Sequence, residues 1–418
     1  MPYDIYISTT DQWHRELVEQ GLGIVIDPLV FRIGEYFLQG APKDPAEKNV
    51  RWDAVRGDIG ALASFFDLIV LYDRMPAFNY ADTFDGQFDI GQGLAALLNT
   101  GGDKTLVNVD MEHDIYYHVK SAAIDQLRKR MAAGRLASKA VSAEINASLT
   151  AIQYQWEPSL WDLEPELPDE KQRRLARFLL GQLVFSGYAQ QMGAPHVLAP
   201  KRASLLSTIG LGSKLNHTDE SDIYAELRRR IQDAGPGWRD DELPWTPTFL
   251  PFLLERMNRY REGPSILLER AKELRGSPAI AHYRTLREKL TAEDALRSGE
   301  AKAELSAAAD AVARSLDSSR PELEWFGHVI VEVLPRAIGV VSGALVGGLA
   351  AGPDGAMLGG LAGVVGEEAL RPVQDKLWGW FLDKIPFRSA RKLLARSVRA
   401  EIDLRQKFEP HLRTVWET

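Results

Sequence analysis

Asp110, Glu112, His113, Asp114 and His118 fall within VDMEHDIYYHVK, a dense run of oxygen- and nitrogen-ligand side chains. On a helix, Asp114 and His118 are four residues apart and share a face, so the pair offers two donors to a metal ion. The order is not HExxH, which sets two histidines one turn apart around a general-base glutamate. The spacing specifies no third ligand. A polar helix start is the simpler account, because acids near a first turn accept its free N–H groups. Upstream, DRMPAFNYADTFDGQFD carries Asp73, Arg74, Asn79, Tyr80, Asp82, Asp85 and Asp89. A loop so rich in carboxylates suits a cation or a polar ligand. It does not follow the EF-hand order, and a capped loop between helices explains the same residues. The acidic region 73–114 therefore supports one functional expectation, a metal-dependent enzyme, without assigning catalytic roles.

Other chemistries find less footing. The chain has no cysteine, which removes thiolate nucleophiles, disulfides and cysteine metal ligands. Neither GxSxG nor GxxxxGK[ST] occurs, so no nucleophile elbow or phosphate loop is expected. His196 follows Pro195 in a break, and His282 precedes Tyr283 on an expected helix. Neither has an orienting acid and a nucleophile nearby in sequence. The pattern implies no cofactor. LRKRM, with Arg128, Lys129 and Arg130, and LRRRI, with Arg228, Arg229 and Arg230, are short basic clusters that read as solvated helix faces. With a formal net charge of −8, nucleic acid is not an expected partner.

The most unusual composition lies at GVVSGALVGGLAAGPDGAMLGGLAGVVG, residues 339–366, with ten glycines and a single charge, Asp354. Gly339, Gly343 and Gly347 are four apart, and Gly355, Gly359 and Gly363 repeat the spacing. Gly352-Pro353-Asp354-Gly355 between them is turn chemistry. Two helices joined there each present a glycine stripe, which lets backbones approach closely. A glycine costs an isolated helix about 1 kcal/mol relative to alanine, so close packing must compensate. The charge-free arms reach roughly 25 Å and 18 Å at 1.5 Å per residue, short of a hydrocarbon core of about 30 Å. A buried hairpin is favoured over membrane insertion or an oligomer interface. Downstream, FRSARKLLARSVRAEI places Phe387, Ala390, Leu394, Val398 and Ile402 on one helical face. Arg388, Lys392, Arg396 and Arg399 lie on the other, a pattern that can rest on an anionic membrane or simply face water.

The elements that must position these groups are mostly helical. GLGIVIDPLVFRIGEYFL reads as a strand, a buried helix or both. A helical run starts at Trp52, and Pro76 ends it. Helices are also expected over 115–132 and 136–154 and in KQRRLARFLLGQLVFSGYAQQ. Three shorter ones follow in FLPFLLERMNRY, SILLERAKELRG and PAIAHYRTLREKL. DRMPAFNYADTFDG is expected to be a loop, and no succession of strand and helix predicts a parallel sheet. EPSLWDLEPELPDE, with three prolines and six acids, is the best linker.

The fold class is thus predominantly all-α, a multi-domain helical protein with a C-terminal glycine-rich helical hairpin. The divisions expected are 1–156, 157–320 and 321–418. The leading functional expectation is a helical interaction or assembly protein that uses Gly339, Gly343, Gly347, Gly355, Gly359 and Gly363 to bind a protein partner or itself. The rival is a conditionally membrane-active effector whose Arg388, Lys392, Arg396 and Arg399 meet an anionic membrane. The N-terminus shows no signal-peptide pattern, so a cytoplasmic location is expected, with peripheral membrane placement on activation.

Overall fold

A computed structural model describes residues 16–132 with short gaps, 163–167, 170–191, 196–199 in part, 249–255, 263–290, four residues between 307 and 312, and 404–418. The glycine segment 339–366, the basic residues Arg388, Lys392, Arg396 and Arg399, the expected 136–154 helix, and the divisions at 156/157 and 320/321 lie outside the described residues. Of the interpretable residues, 76% are helical, which establishes a mostly-α chain.

The first packed unit starts at β1 (Val25–Ile26), which passes directly into α1 (Pro28–Leu38). Asp27 forces that change of direction. Its backbone is extended, its side chain caps α1 by accepting the Leu29 N–H at 2.9 Å, and Pro28 fits the first helical position, where no N–H is required. The same Asp-Pro device begins α2 (Pro45–Gly57) at Asp44. Asp58 then interrupts what the hydrophobic period suggests is one helix from Trp52 onward. Its φ of −136° and ψ of 56° are not helical, and its carboxylate caps α3 (Ile59–Leu71) through the Ala61 N–H. All 13 residues of α3 are buried, so this helix is the centre of the core. α3 stops at Leu71, before Pro76, because Tyr72 turns extended.

α1 crosses α3 at Gly34. A Cβ there would lie 2.5 Å from the Phe65 ring, so only hydrogen allows the two helices this approach. Phe37, Phe65 and Phe66 fill the surroundings with edge-to-face contacts at 6.1 Å and 5.5 Å.

Strands occur where the sequence suggests a loop and no parallel pairing. β2 (Met75–Asn79) pairs in parallel with β5 (Leu106–Asp110), in register from Met75↔Leu106 to Asn79↔Asp110. Between them lie a small antiparallel pair, β3 (Ala81–Asp82) and β4 (Gly86–Gln87), and then α4 (Gln92–Leu98), which supplies the crossover that parallel strands need. β2 escapes sequence reading because it is five residues long and contains Pro76, a residue that normally demotes a strand. Its neighbours Met75, Ala77 and Phe78 are all buried, which also spoils simple alternation. Asn99 completes the unit. Its side-chain amide donates to Leu106 O and accepts from Leu106 N, both at 2.9 Å, as a neighbouring backbone would.

α5 (His113–Ala132) and α6 (Glu170–Gln191) pack on each other. Gly187 faces Val119 so closely that a Cβ there would meet Val119 Cγ1 at 2.6 Å. β6 (His196–Val197) returns the chain to β1 in parallel. α7 (Leu250–Glu255), α8 (Pro264–Arg275) and α9 (Pro278–Leu290) cover α3, matching the three short helices read between Gly and Pro breaks. Residues 404–417 form a last helix, α10. Replacing Gly34 by alanine should destabilise the protein by about 1–3 kcal/mol through forced separation of α1 and α3. A urea midpoint for Gly34→Ala equal to that of the parent would contradict so close a crossing.

Candidate functional site

Among the described residues, the acidic side chains of 73–114 are distributed over several elements. Asp73 is exposed in the turn before β2 and bonds Arg284 Nη2, with Arg275 Nε at 3.9 Å. Arg74 donates to the Gln20 carbonyl at 2.9 Å. Asn79 and Asp110 are opposite each other at the C-terminal ends of β2 and β5, and Asp110 is exposed. Asp82 lies in β3, while Tyr80, Asp85, Asp89 and Glu112 fall outside the described residues. His113 and Asp114 open α5, and His118 is exposed one turn further on. Among the described residues, no three His, Asp or Glu side chains gather as a metal set. His196 is in β6, and His282 is exposed on α9. Arg128 bonds Glu166 at 2.9 Å, tying α5 to the turn at Glu164–Glu166. Lys129 and Arg130 follow on α5, and Arg228, Arg229 and Arg230 lie outside the described residues.

What the fold does bring together is the C-terminal helix and the α1–α2 hairpin. Leu404, Leu412, Val415 and Trp416 of α10 are buried, and Phe408 packs beside them. Their spacing places them along one helical face. That spacing is the signal available in the sequence. Trp416 is the anchor. Its indole Nε1–H donates to the Tyr36 carbonyl at 2.9 Å, and its ring lies 5.3 Å from that of Trp52. The Trp416 carbonyl in turn accepts the Ala41 N–H at 2.9 Å. Gly40, at φ +68°, makes the turn that presents Ala41 to it. Such a backbone conformation is easy for glycine and strained for other residues.

Charged groups rim this contact. Lys48 pairs with Glu417 at 3.1 Å and Arg56 with Glu409 at 2.7 Å, both across from α2 to α10. The Lys48 hydrogen bond holds the Glu417 carboxyl below its ordinary range, and Arg413 adds to the effect. Beneath the rim, Arg32 donates to Glu35 at 2.9 Å and to the Tyr36 hydroxyl at 2.8 Å, with its guanidinium 4.2 Å from the Tyr36 ring centre. Gln39 donates to the other Glu35 oxygen at 3.2 Å, and Arg51 reaches both Gln39 and Glu47. Gly93 of α4 closes over the Glu35 carboxylate, leaving no room for a Cβ. Arg51–Gln39, Lys48–Glu417 and Arg56–Glu409 cross between elements, while the bonds of Arg32, Glu35 and Tyr36 brace α1 itself. The arrangement suits retention of a helix, with an aromatic anchor at the centre and charge at the edge.

Trp416→Ala should cost about 3–5 kcal/mol through loss of the buried ring. Trp416→Phe should cost about 1–3 kcal/mol, because the Tyr36 carbonyl loses its donor. Chemical unfolding reads both values, and two unchanged midpoints would show that α10 is not part of the cooperative fold. No protein-family model, curated protein or solved structure matches this chain.

Proposed function

We propose that the protein is a helical interaction module that self-associates through the glycine stripes of residues 339–366. The observation that carries this reading is the anchoring of both flanks. Val312 on one side and Leu404 on the other are buried in the same hydrophobic core. The chain between them, 313–403, contains the paired spacings Gly339/Gly343/Gly347 and Gly355/Gly359/Gly363. A segment tied at both ends to a packed body is offered to a partner at lower entropic cost than a free tail, because its ends are already held. Small residues four apart allow two helices to approach until their backbones touch.

The basic face of Arg388, Lys392, Arg396 and Arg399 favours a second reading, contact with an anionic membrane. Among the described residues, no helix is long and apolar enough to cross a membrane. The short charge-free arms of residues 339–366 limit that reading to a surface contact or a conditional insertion.

Sedimentation velocity of the full chain separates the outcomes. Concentration-dependent association that weakens at least tenfold in Gly343→Leu and Gly359→Leu, with unchanged circular dichroism, is expected. A parent that stays monomeric, or leucine variants that associate equally well, would rule against the glycine stripe. Cosedimentation with anionic but not neutral vesicles, reduced by Arg396→Glu, is the result the membrane reading requires.

A further inference from the structure

Asp67 interrupts IGALASFFDLIVL, the most completely buried helix of the protein. Its exposure is 0%. Oδ1 accepts the Phe249 N–H at 2.7 Å, across a separation of 182 residues in sequence. Oδ2 has no hydrogen-bond partner among the described residues, and one turn earlier the Ser64 hydroxyl is likewise buried without one. An acid inside a helix ordinarily faces water or an arginine, and this one does neither.

Among the described residues, the helices packed on α3 are α1, α2, α7, α8 and α9, and most of the charged side chains described on them pair elsewhere or face solvent. Arg32 and Glu35 of α1 pair with each other. On α2, Lys48, Arg51 and Arg56 pair with Glu417, Glu47 and Glu409, and Asp53 is exposed. On α8, Lys272 reaches the Leu98 carbonyl at 2.6 Å, Arg275 reaches the Tyr72–Asp73 turn and Thr105, and Glu269 and Glu273 are exposed. Arg270 of α8 is half-buried and does not act on Asp67. On α9, Arg284 holds Asp73, and His282 is exposed. Glu255 stands at the far end of α7. Among the described residues, no cation is paired with Asp67. Burial accordingly raises its carboxyl well above the ordinary range, and the opposing pull of the Phe249 N–H is smaller.

We propose that Asp67 is a protonation-controlled latch that fastens residues 249–255 to α3. In the closed state the carboxyl is neutral and accepts the Phe249 N–H. Its other oxygen sits in apolar surroundings that a carboxylate cannot occupy without water or a cation. Ionisation therefore favours a state in which Asp67 reaches solvent. The route of least resistance is through α7. α1 and α8 lie against α3 over more of its length than the described residues of α7 do, and 249–255 is the segment whose backbone N–H bonds Asp67 itself. The sign follows from the raised carboxyl. The stabilisation available to the neutral form is complete below about 3.9, the value of an unfolded aspartate, and is lost as pH rises through the higher native value. Release is a response to rising pH.

The test compares the full chain with Asp67→Asn, whose amide oxygen accepts the same N–H and cannot ionise. Hydrogen exchange of peptides covering 249–255, corrected for intrinsic rates, should show at least a tenfold loss of protection with rising pH in the parent and a flat profile in the variant. Parallel profiles in the two proteins would overturn the latch. Should Asp67→Asn fail to fold, infrared difference spectra of the parent decide the matter. A buried carboxylic-acid C=O band that persists above the ordinary carboxyl range and disappears together with the protection supports the latch. Titration of every aspartate in the ordinary acidic range refutes it.

Discussion

Much of the packing depends on how Asp27 is satisfied. Its side chain is fully buried, and both oxygens accept backbone N–H groups: Leu29 at 2.9 Å and Ala199 at 3.1 Å. Its own N–H donates to the Val197 carbonyl at 2.8 Å. One residue thus ends β1, begins α1 and pins β6, 172 positions away in sequence. Hydrogen bonds to an ionisable acceptor are each worth about 1.5–3 kcal/mol, and a cap adds about 1 kcal/mol to its helix. The geometric consequence is larger than the energy. The direction of α1 sets the Gly34–Phe65 crossing with α3, and it also places the Tyr36 carbonyl where Trp416 finds it.

The far end of the chain is held by a different balance of forces. Lys48–Glu417 and Arg56–Glu409 have partly exposed members, so water screens them and each contributes at most about 1 kcal/mol. They select the orientation of α10 more than they stabilise it. Trp416 supplies the attraction, because it combines a large apolar surface with one N–H that has a matching carbonyl. The paired rings of Trp52 and Trp416 occupy the middle, and the ions lie outside them. Charged groups also define the opposite end of α3. Lys272, Arg275 and Arg284 gather on the Leu98 carbonyl and the Tyr72–Asp73 turn, where α8 and α9 meet the starts of β2 and β5.

The sequence disclosed helices wherever one face could be recognised by period and both ends by caps. The helix beginning at Glu170 and the three short helices between Leu250 and Leu290 were readable for that reason. It concealed Asp58, because the apolar period continues across a residue whose backbone leaves the helix. It concealed β2 because a five-residue strand buried continuously from Met75 to Phe78 loses its alternation and because Pro76 argues against a strand. Contacts between distant residues were harder still. Nothing local in VWET indicates that Trp416 belongs beneath Tyr36, 380 positions earlier. In the ligand-type run at 110–118, Asp110 ends β5 and is exposed, and His118 is exposed on the first turns of α5, as a polar helix start places them.

Asp27 and Asp67 show how one residue type can serve opposite ends inside one core. Both are completely buried. The difference lies in the number of donors. Asp27 has an N–H for each oxygen and stands at the N-terminus of α1, where the helix dipole favours negative charge. Asp67 lies in mid-helix, with one donor for two oxygens. A carboxyl that accepts an N–H at each oxygen fixes the direction in which the chain leaves β1. A carboxyl left half-satisfied makes the contact it serves depend on its proton. The core therefore contains one junction that is locked by geometry and one whose strength follows the solvent.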